Sequence, residues 1–398
     1  MRTQLLLSVV VSGMVLMTSC SENEPVAPDN FNSNTTEIRF AAAANASSRS
    51  SDITTLNLSS FQVYAFVDSS NEVFMDNVQV TKGAGNQWVY SPVKYWPTTP
   101  LDFYAFAPSD WVPATALKSR SKFVYSNYGM EDVIYAVSMD RTQPTSQTDA
   151  QVRLNFRHAL SKVSVFLACA NPAITVKVSS VSLVGISQEA SFAFPTASTD
   201  VTGTTITPAS LGTWSDYSTP HAYVLYMAQS PDDLLTLTST LTDVNPEGYL
   251  PQYMIPQELT WTDSNTNHQN SDYLQVNLSM YDATTGVKVW PNDNTPSENL
   301  VPGSTNKDGL IKFQLSTSTI KSWLPDCHYI YNVSIDGHKD LSEIEFGSPT
   351  MPVLTHDNRY HWSDDYPYVP EPYETYTPSQ SYTPEGHRKL GSKGGLLR

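Results

Sequence analysis

The stretch FQVYAFV at residues 61–67 indicates the fold most directly. Its first, third, fifth and seventh positions are apolar, and a period of two places such side chains on one face of a β-strand. Residues 235–242, 274–280 and 311–316 repeat this alternation, with polar side chains at the intervening positions. The four stretches therefore predict half-buried strands.

Long helices are not expected. No ten residues sustain an apolar period of 3.6, and only residues 114–119 and 318–324 have patterns that fit about two helical turns. The 27 prolines and 22 tyrosines, together with many Ser, Thr and Asn, are typical of short strands joined by frequent turns. The sequence predicts an all-β protein and favours sandwiches over barrels or parallel sheets.

The charge balance argues against a nucleic-acid partner. The 398 residues include 23 Lys and Arg against 39 Asp and Glu, so the net charge is −16. Nucleic-acid binding needs clustered cations to meet the phosphates, and we expect no such partner. The length allows two or three domains, or one large all-β domain.

The N-terminus has the features of a secretory signal peptide. Arg2 supplies a positive charge, and the apolar run at residues 5–17 leads into the sequence MTSC at residues 17–20. The run is shorter than the roughly 20 apolar residues that a membrane-spanning helix needs. We therefore expect a lipoprotein or ordinary signal peptide over residues 1–19.

The sequence MTSC resembles the lipobox of bacterial lipoproteins. That resemblance implies that cleavage leaves Cys20 as the first residue and that acyl chains such as palmitate on this cysteine anchor the protein. Met17 departs from the pattern, because leucine is usual three positions before the cysteine. An ordinary secretory peptide that happens to contain a cysteine is the alternative.

Residues 20–36 have the composition of a flexible tether. They are rich in Pro, Asn, Ser and Thr and carry no apolar periodicity. Glu22 and Glu24 resemble the export signal that sends lipoproteins of Bacteroidetes-type bacteria to the outer face of the outer membrane. A solvated linker is the alternative interpretation.

Seven blocks of sequence follow one another in a characteristic order. They are IRF (38–40), LSSFQVYA (58–65), WVYSPVKYWP (88–97), LDFYAFAP (101–108), EDVIYA (131–136), LNFRHALSKV (154–163) and, more weakly, YMIPQ (253–257). In this order and spacing they resemble the fimbrillin-like lipoprotein family of Bacteroidetes, which includes major and minor fimbrial subunits. The resemblance extends over roughly residues 1–345.

The resemblance implies two tandem β-sandwich domains of transthyretin-like topology. We expect an N-terminal β-sandwich at residues 37–157 and a C-terminal β-sandwich at residues 158–362, with a hinge at residues 158–162. The implied function is that of a pilus (fimbria) subunit, anchor, tip or accessory component in adhesion. The implied partners are other fimbrial subunits, the cell outer membrane through the lipid anchor, and a host or bacterial surface ligand.

The family also implies a processing site. In related pilins a protease cuts after an arginine and removes the lipid anchor with the first strand, and a strand from the next subunit fills the groove. Here the removable strand is expected at residues 37–42, and Arg49 is the only basic residue between Arg39 and Lys82. We expect proteolytic processing at Arg49. The alternative is a solvated loop arginine in a protein that is never cut.

Residues 363–398 depart from the family. They form a tail that begins rich in Pro and Tyr and ends basic and rich in Gly. Proline cannot donate to a β ladder, so this tail predicts a poor inserting strand and favours an extended or disordered end. The stalk, anchor, tip and accessory roles all stay open.

No sequence motif indicates catalysis. The patterns HExxH and GxSxG and a phosphate loop are absent from the sequence, and we expect no enzyme activity, no cofactor and no metal site. A surface lipoprotein that binds glycans through exposed aromatics is the alternative function. It requires four tryptophans to lie together on a flat exposed surface, namely Trp111, Trp214, Trp261 and Trp290.

Two cysteines remain after lipidation of Cys20. Cys169 lies on an apolar face of period two, and Cys327 lies at a turn. Export permits a disulfide between them if the first and last strands of the second domain are neighbours, and the sequence leaves this pairing open.

Overall fold

The computed structural model describes residues 36–43, 53, 58–68, 70, 72–145, 151–199, 211–246, 250–262, 270–303, 307–317, 320–336, 353–361, 389–390 and 396–397. The predicted signal peptide, most of the tether, Cys20 and Arg49 lie outside these residues. In the described part the chain is nearly all β, which confirms the predicted class. Its one α-helix there is α1 (Ala114–Lys118), as expected for residues 114–119.

The strands in chain order are β1 (Arg39–Ala43), β2 (Ser60–Val67), β3 (Val73–Lys82), β4 (Trp88–Val89), β5 (Leu101–Ala107), β6 (Phe123–Ser126), β7 (Ile134–Arg141), β8 (Gln151–Asn155), β9 (Arg157–His158), β10 (Ser161–Ala168), β11 (Ile174–Ala193), β12 (Thr213–Met227), β13 (Leu235–Thr236), β14 (Thr242–Asp243), β15 (Tyr253–Met254), β16 (Tyr273–Asp282), β17 (Lys288–Trp290), β18 (Gly309–Gln314), β19 (Cys327–Ser334), β20 (Val353–His361), β21 (Lys389–Leu390) and β22 (Leu396–Leu397). Short 3₁₀ turns lie at Ala84–Asn86, Pro231–Asp233 and Ser297–Asn299.

The N-terminal part contains a six-stranded sheet and a two-stranded sheet. The larger sheet has the order β4-β3-β2-β5-β7-β9, and the smaller one pairs β1 with β8. Buried apolar side chains from both form one core, which includes Phe40, Phe61, Phe103 and Leu154. The two sheets are therefore held together by burial of apolar surface.

The C-terminal part contains two larger sheets. One has the order β12-β11-β16-β17, with β6, β13 and β18 as further partners, and the other has the order β14-β10-β19-β20, with β15 paired to β10. Alternate side chains of β11, β16 and β19, such as Val176, Leu278 and Tyr329, are fully buried in a single core. This is sheet-on-sheet packing, as expected for a sandwich.

A third apolar cluster joins the two parts. Strand β6, which precedes the predicted boundary at residues 157 and 158, pairs with β11, which follows it. The cluster combines Tyr64 and Phe66 of β2 with Trp111 and with Phe192 of β11. Because this cluster covers the second face of β2, that strand is buried on both faces, and the expected half-buried strand is wrong at residues 61–67.

The residues expected to form a hinge, 158–162, are buried. His158 and Lys162 are each 1% exposed, and they lie in β9 and β10. The backbone N–H of His158 donates to Oδ1 of Asp326 at 3.3 Å, and Arg157 Nη1 lies 3.4 Å from the second oxygen of that carboxylate. The polar character of this segment thus reflects buried hydrogen bonds and ion pairs.

Other expected strands are found with one exception. Residues 274–280 and 311–316 fall largely in β16 and β18. Residues 235–242 instead form β13 and β14, which belong to different sheets, because the chain crosses the sandwich between them. Residues 320–324 are not helical, unlike the short helix expected at 318–324.

Parallel pairing of β10 with β19 separates the two cysteines. Ser161 lies opposite Cys327, whereas Ala168, next to Cys169, lies opposite Ser334. Both cysteines are free and buried. Seven residues of strand correspond to about 23 Å, so a disulfide between them is excluded by geometry.

Strand β20 precedes the proline-rich tail and pairs antiparallel with β19. Of the tail itself, residues 363–398, the structure describes only the short strands β21 and β22. The expected disorder of the rest of the tail lies outside the described residues.

Candidate functional site: the first strand and its groove

The backbone of β1 is held on one side by β8. The two strands run parallel, and five residue pairs are in register, from Arg39 opposite Gln151 to Ala43 opposite Asn155. The pairing is local to these strands, since β1 and β8 form a two-stranded sheet of their own.

The residues just before β1 bond to the segment that follows β4. The N–H of Ile38 donates to the carbonyl of Lys94 at 2.9 Å, and the N–H of Trp96 donates to the carbonyl of Thr36 at 2.9 Å. The phenol of Tyr90 donates to the carbonyl of Ile38 at 2.8 Å. Burial raises the pKa of Tyr90, which keeps this phenol protonated and able to donate.

The side chain of Phe40 fixes the strand to the core. It is 2% exposed, and its ring centroid lies 5.5 Å from that of Tyr90 and 5.9 Å from that of Phe103. The ring of Phe61 lies 6.3 Å away, edge to face. Such aromatic pairs contribute about 0.5–1.5 kcal/mol beyond the burial of area. Phe40 therefore occupies an aromatic pocket of the N-terminal core.

Arg39 lies on the face of β1 opposite to Phe40. Arg39 Nε lies 3.4 Å from Oε2 of Glu37, and both side chains are largely exposed. A cavity of ≈ 680 Å³ lies beside the strand, and its lining includes Val89 and Val93, whose side chains are 46% and 44% exposed. The strand thus has one side chain, Phe40, in a pocket and one exposed side chain, Arg39, beside a cavity whose lining includes exposed valines.

The chain beyond β1 is fixed again at Ile53. Its N–H donates to Oδ2 of Asp132 at 2.7 Å, and the other oxygen of this carboxylate lies 2.8 Å from Nδ1 of His158. Arg49 falls between Ala43 and Ile53, outside the described residues. The two ends of the segment that contains Arg49 are therefore held by separate contacts.

The groups that hold the chain on both sides of Arg49 are not evident from the sequence. The sequence predicts the first strand at residues 37–42, and the structure has β1 at Arg39–Ala43, directly after the buried residue Ile38. Tyr90 and Asp132 lie in the blocks at residues 88–97 and 131–136, to which no binding role was assigned. Their hydrogen bonds join residues 52 and 79 positions apart, and no local pattern in the sequence signals contacts of this range.

The four tryptophans do not form an exposed platform. Trp111 and Trp290 are 5% and 4% exposed, and Trp214 and Trp261 are half-buried. Trp111 and Trp214 contact opposite sides of the aromatic cluster through Phe192, with ring centroids 5.1 and 4.9 Å from it. Trp290 packs in the C-terminal core.

One group of carboxylates has the spacing of cation ligands. Oxygens of Asp68, Asp102 and Asp140 lie within 4.8 Å of one another. Asp102 is 2% exposed, and its carboxylate binds Arg120 Nη2 at 3.1 Å and accepts the N–H of Asp140 at 2.9 Å. An arginine already balances the buried charge, so this group does not require a metal.

In the part of the chain that the structure describes, no helix has the length and hydrophobicity needed to span a bilayer.

Comparison with known proteins identifies a family. A family model described as fimbrillin-like matches residues 48–346. A fimbrial protein from Bacteroides vulgatus has a similar structure, with a TM-score of 0.44 and 13% identity, over 75% of this chain and 95% of that one. The tip fimbrial protein Mfa3 from Porphyromonas gingivalis aligns with a TM-score of 0.38 and 10% identity, over 76% of this chain and 96% of that one. No curated protein matches the chain.

Proposed function

The chain belongs to the fimbrillin-like family, and from this premise we propose that it is a surface lipoprotein of a fimbria that assembles by strand complementation. A fimbrial or adhesion-related role at the cell surface follows from the family itself. The observation that supports the finer proposal is the placement of β1. Phe40 lies in a pocket of the N-terminal core, while Arg49 lies between two separately held ends of the chain.

Cleavage after Arg49 would leave β1 attached by non-covalent contacts alone. These are the parallel pairing with β8, the bonds to residues 94 and 96, and the burial of Ile38 and Phe40. Full burial of such side chains stabilises by about 1.5–3 kcal/mol each. The strand can then be replaced by one that offers similar apolar side chains and its own backbone hydrogen bonds.

Hydrolysis at Arg49 would also separate the folded part from the membrane. Cys20 lies upstream of Arg49, so lipid on this cysteine would leave together with β1. A cut chain is then free to join a fibre, and an uncut chain remains an anchor at the outer membrane. The proposed partners are other fimbrial subunits, of its own or a related kind, and the proposed activity is binding without catalysis.

The proposal is tested on the lipidated precursor with an arginine-specific protease. We expect a new N-terminus at Ser50, loss of the lipid with the released peptide, and multimers that resist SDS. An R49Q variant should stay lipidated and monomeric, while an R39Q variant serves as the matched control and should be cut like the native chain. Intact precursor after digestion, or cleavage that is unchanged in R49Q, would contradict the proposal.

Glycan binding through the four tryptophans is not favoured. Two are buried and two are half-buried, and Trp111 and Trp214 are joined by the aromatic cluster between the two parts of the chain. Their positions serve packing.

A further inference from the structure

A row of polar and aromatic side chains runs along the outer face of β16. Leu274, Val276, Leu278 and Met280 point into the C-terminal core, so the residues between them point away from it. The residues of this row, which we call the β16 row, are Tyr273, Gln275, Asn277, Ser279 and Tyr281. The row has a tyrosine at each end and spans about 27 Å at roughly 3.4 Å per residue.

Lysines flank both tyrosines of the β16 row. Lys312 Nζ lies 4.9 Å from the ring centroid of Tyr273, and Lys177 Nζ lies 5.3 Å from that of Tyr281. Lys288 of β17 is directly opposite Tyr281 in the sheet. Each end of the row therefore combines an aromatic ring with a cation.

The carboxylates near this face are already engaged. Asp308 accepts a hydrogen bond from Ser279 Oγ at 2.8 Å. Asp282 accepts the N–H groups of Thr284 and Thr285 at 2.9 and 2.6 Å, which closes its own turn. These hydrogen bonds leave both carboxylates charged, and three lysines, Lys177, Lys288 and Lys312, lie beside them, so cations outnumber these two anions in a chain whose net charge is −16.

The amides in the middle of the row are held in place. Asn277 Nδ2 donates to Ser180 Oγ of β11 at 2.7 Å, and Gln275 Nε2 donates to Oδ1 of Asn277 at 3.2 Å. Gln275, Asn277 and both tyrosines are only partly buried. Amide side chains have more than one donor and acceptor site, so these contacts do not exhaust their hydrogen-bonding capacity.

We propose that the β16 row and its flanking lysines form a binding face for an extended acidic polysaccharide. Apolar sugar faces would pack on the tyrosine rings, hydroxyls would bond to the amides, and carboxylate or sulfate groups would pair with the ammonium groups. The row follows a single strand of an antiparallel sheet, which suits a linear polymer that lies along that strand. The negative charge of the whole chain disfavours acidic polymers elsewhere, which confines binding to this face.

The proposal is tested by measuring binding of the full chain to hyaluronate, chondroitin sulfate and neutral dextran. Hyaluronate carries carboxylates alone, and chondroitin sulfate adds sulfates, so the two acidic probes distinguish the anionic groups. We expect binding to at least one of them, weakening as salt rises, and no binding to dextran. A K177Q/K312Q double variant should bind about fivefold more weakly, since each exposed pair contributes a fraction of a kcal/mol.

The matched control is a K82Q/K321Q double variant. It removes the same charge elsewhere on the chain, including a lysine that lies 5.7 Å from the ring centroid of Trp88, and it should bind like the native chain. Circular dichroism would confirm that both variants fold. Equal binding by K177Q/K312Q and the native chain, binding to dextran, or no binding to either acidic probe would overturn the proposal. Full competition by polyglutamate would overturn it in favour of an acidic protein partner.

Discussion

Nδ1 of His158 lies 2.8 Å from Oδ1 of Asp132, and both side chains are almost completely buried. The second oxygen of the same carboxylate accepts the N–H of Ile53. One carboxylate therefore joins the chain that follows the Arg49 segment to β9, the last strand in the six-stranded sheet of the N-terminal part. This contact involves no residue of β1, so it does not depend on the first strand staying in place.

Replacing Asp132 by alanine should destabilise the folded chain. The change leaves the N–H of Ile53 and the ring of His158 without this acceptor, and a lost partner for a buried polar group costs about 1–3 kcal/mol. Urea unfolding followed by tryptophan fluorescence measures the loss. The exposed residue Asp110 provides the control, since D110A should unfold like the native chain. Equal midpoints for D132A and D110A would show that the contact is not needed.

Replacing Phe40 by alanine should loosen β1 specifically. Large-to-small changes of buried phenylalanine cost about 3–5 kcal/mol, and here the cost falls on the strand because the ring is its main contact with the core. In chain cut at Arg49, F40A should release the N-terminal peptide faster than the native sequence, as measured by chromatography of the digest. R39A is the neighbouring control with an exposed side chain. Equal release rates for F40A and R39A would show that residues other than Phe40 hold β1 in place.

Replacing Phe192 by alanine should uncouple the two parts of the chain. Its ring is fully buried and contacts Trp111 and Trp214 from the cluster that joins them. We expect one calorimetric transition for the native chain and two for F192A. The C-terminal part, which contains β11 and Phe192, should be less stable by about 3–5 kcal/mol. Two separate transitions in the native chain would show that the cluster does not couple the parts.

The stability of the chain should depend on Asp272 between pH 4 and 7. Burial raises the pKa of this carboxyl to about 6, from an ordinary value of about 3.9. The folded state then binds the proton more tightly than the unfolded state, so the stabilising contribution is complete below about pH 4 and is lost as the pH rises through 6. Relative to D272N, the native chain should lose thermal stability over this range. If the melting temperatures of the native chain and D272N change equally from pH 4 to 7, Asp272 is not the group responsible.

The sequence predicted strand positions well for strands that bury only one face in the core. Residues 274–280 and 311–316 alternate cleanly, and both lie in strands with one face in the core. It failed at residues 61–67 because Tyr64 and Phe66 are covered by a cluster that also contains Phe192, more than 100 residues away in the chain. The burial of residues 158–162 was not predictable, because buried polar contacts and polar linkers have the same composition.

The candidate site was predictable only in part. The first strand is expected at residues 37–42 from the resemblance to the family, and its two large apolar residues, Ile38 and Phe40, are both buried. Tyr90, which bonds to Ile38, and Asp132, which holds Ile53 beyond Arg49, are brought into place by tertiary contacts that only the folded chain provides. The β16 row alternates visibly in the sequence, but its lysines come from β11, β17 and β18.

The central claim is that the groove of β1 accepts a strand in trans. Its most direct test uses chain that begins at Ser50 and a synthetic peptide of residues 36–43, with binding measured by fluorescence anisotropy. Saturable binding of the native peptide, with binding lost for the peptide in which Phe40 is replaced by alanine, is the result that strand complementation predicts. A folded chain that binds neither peptide, or both equally, would contradict it.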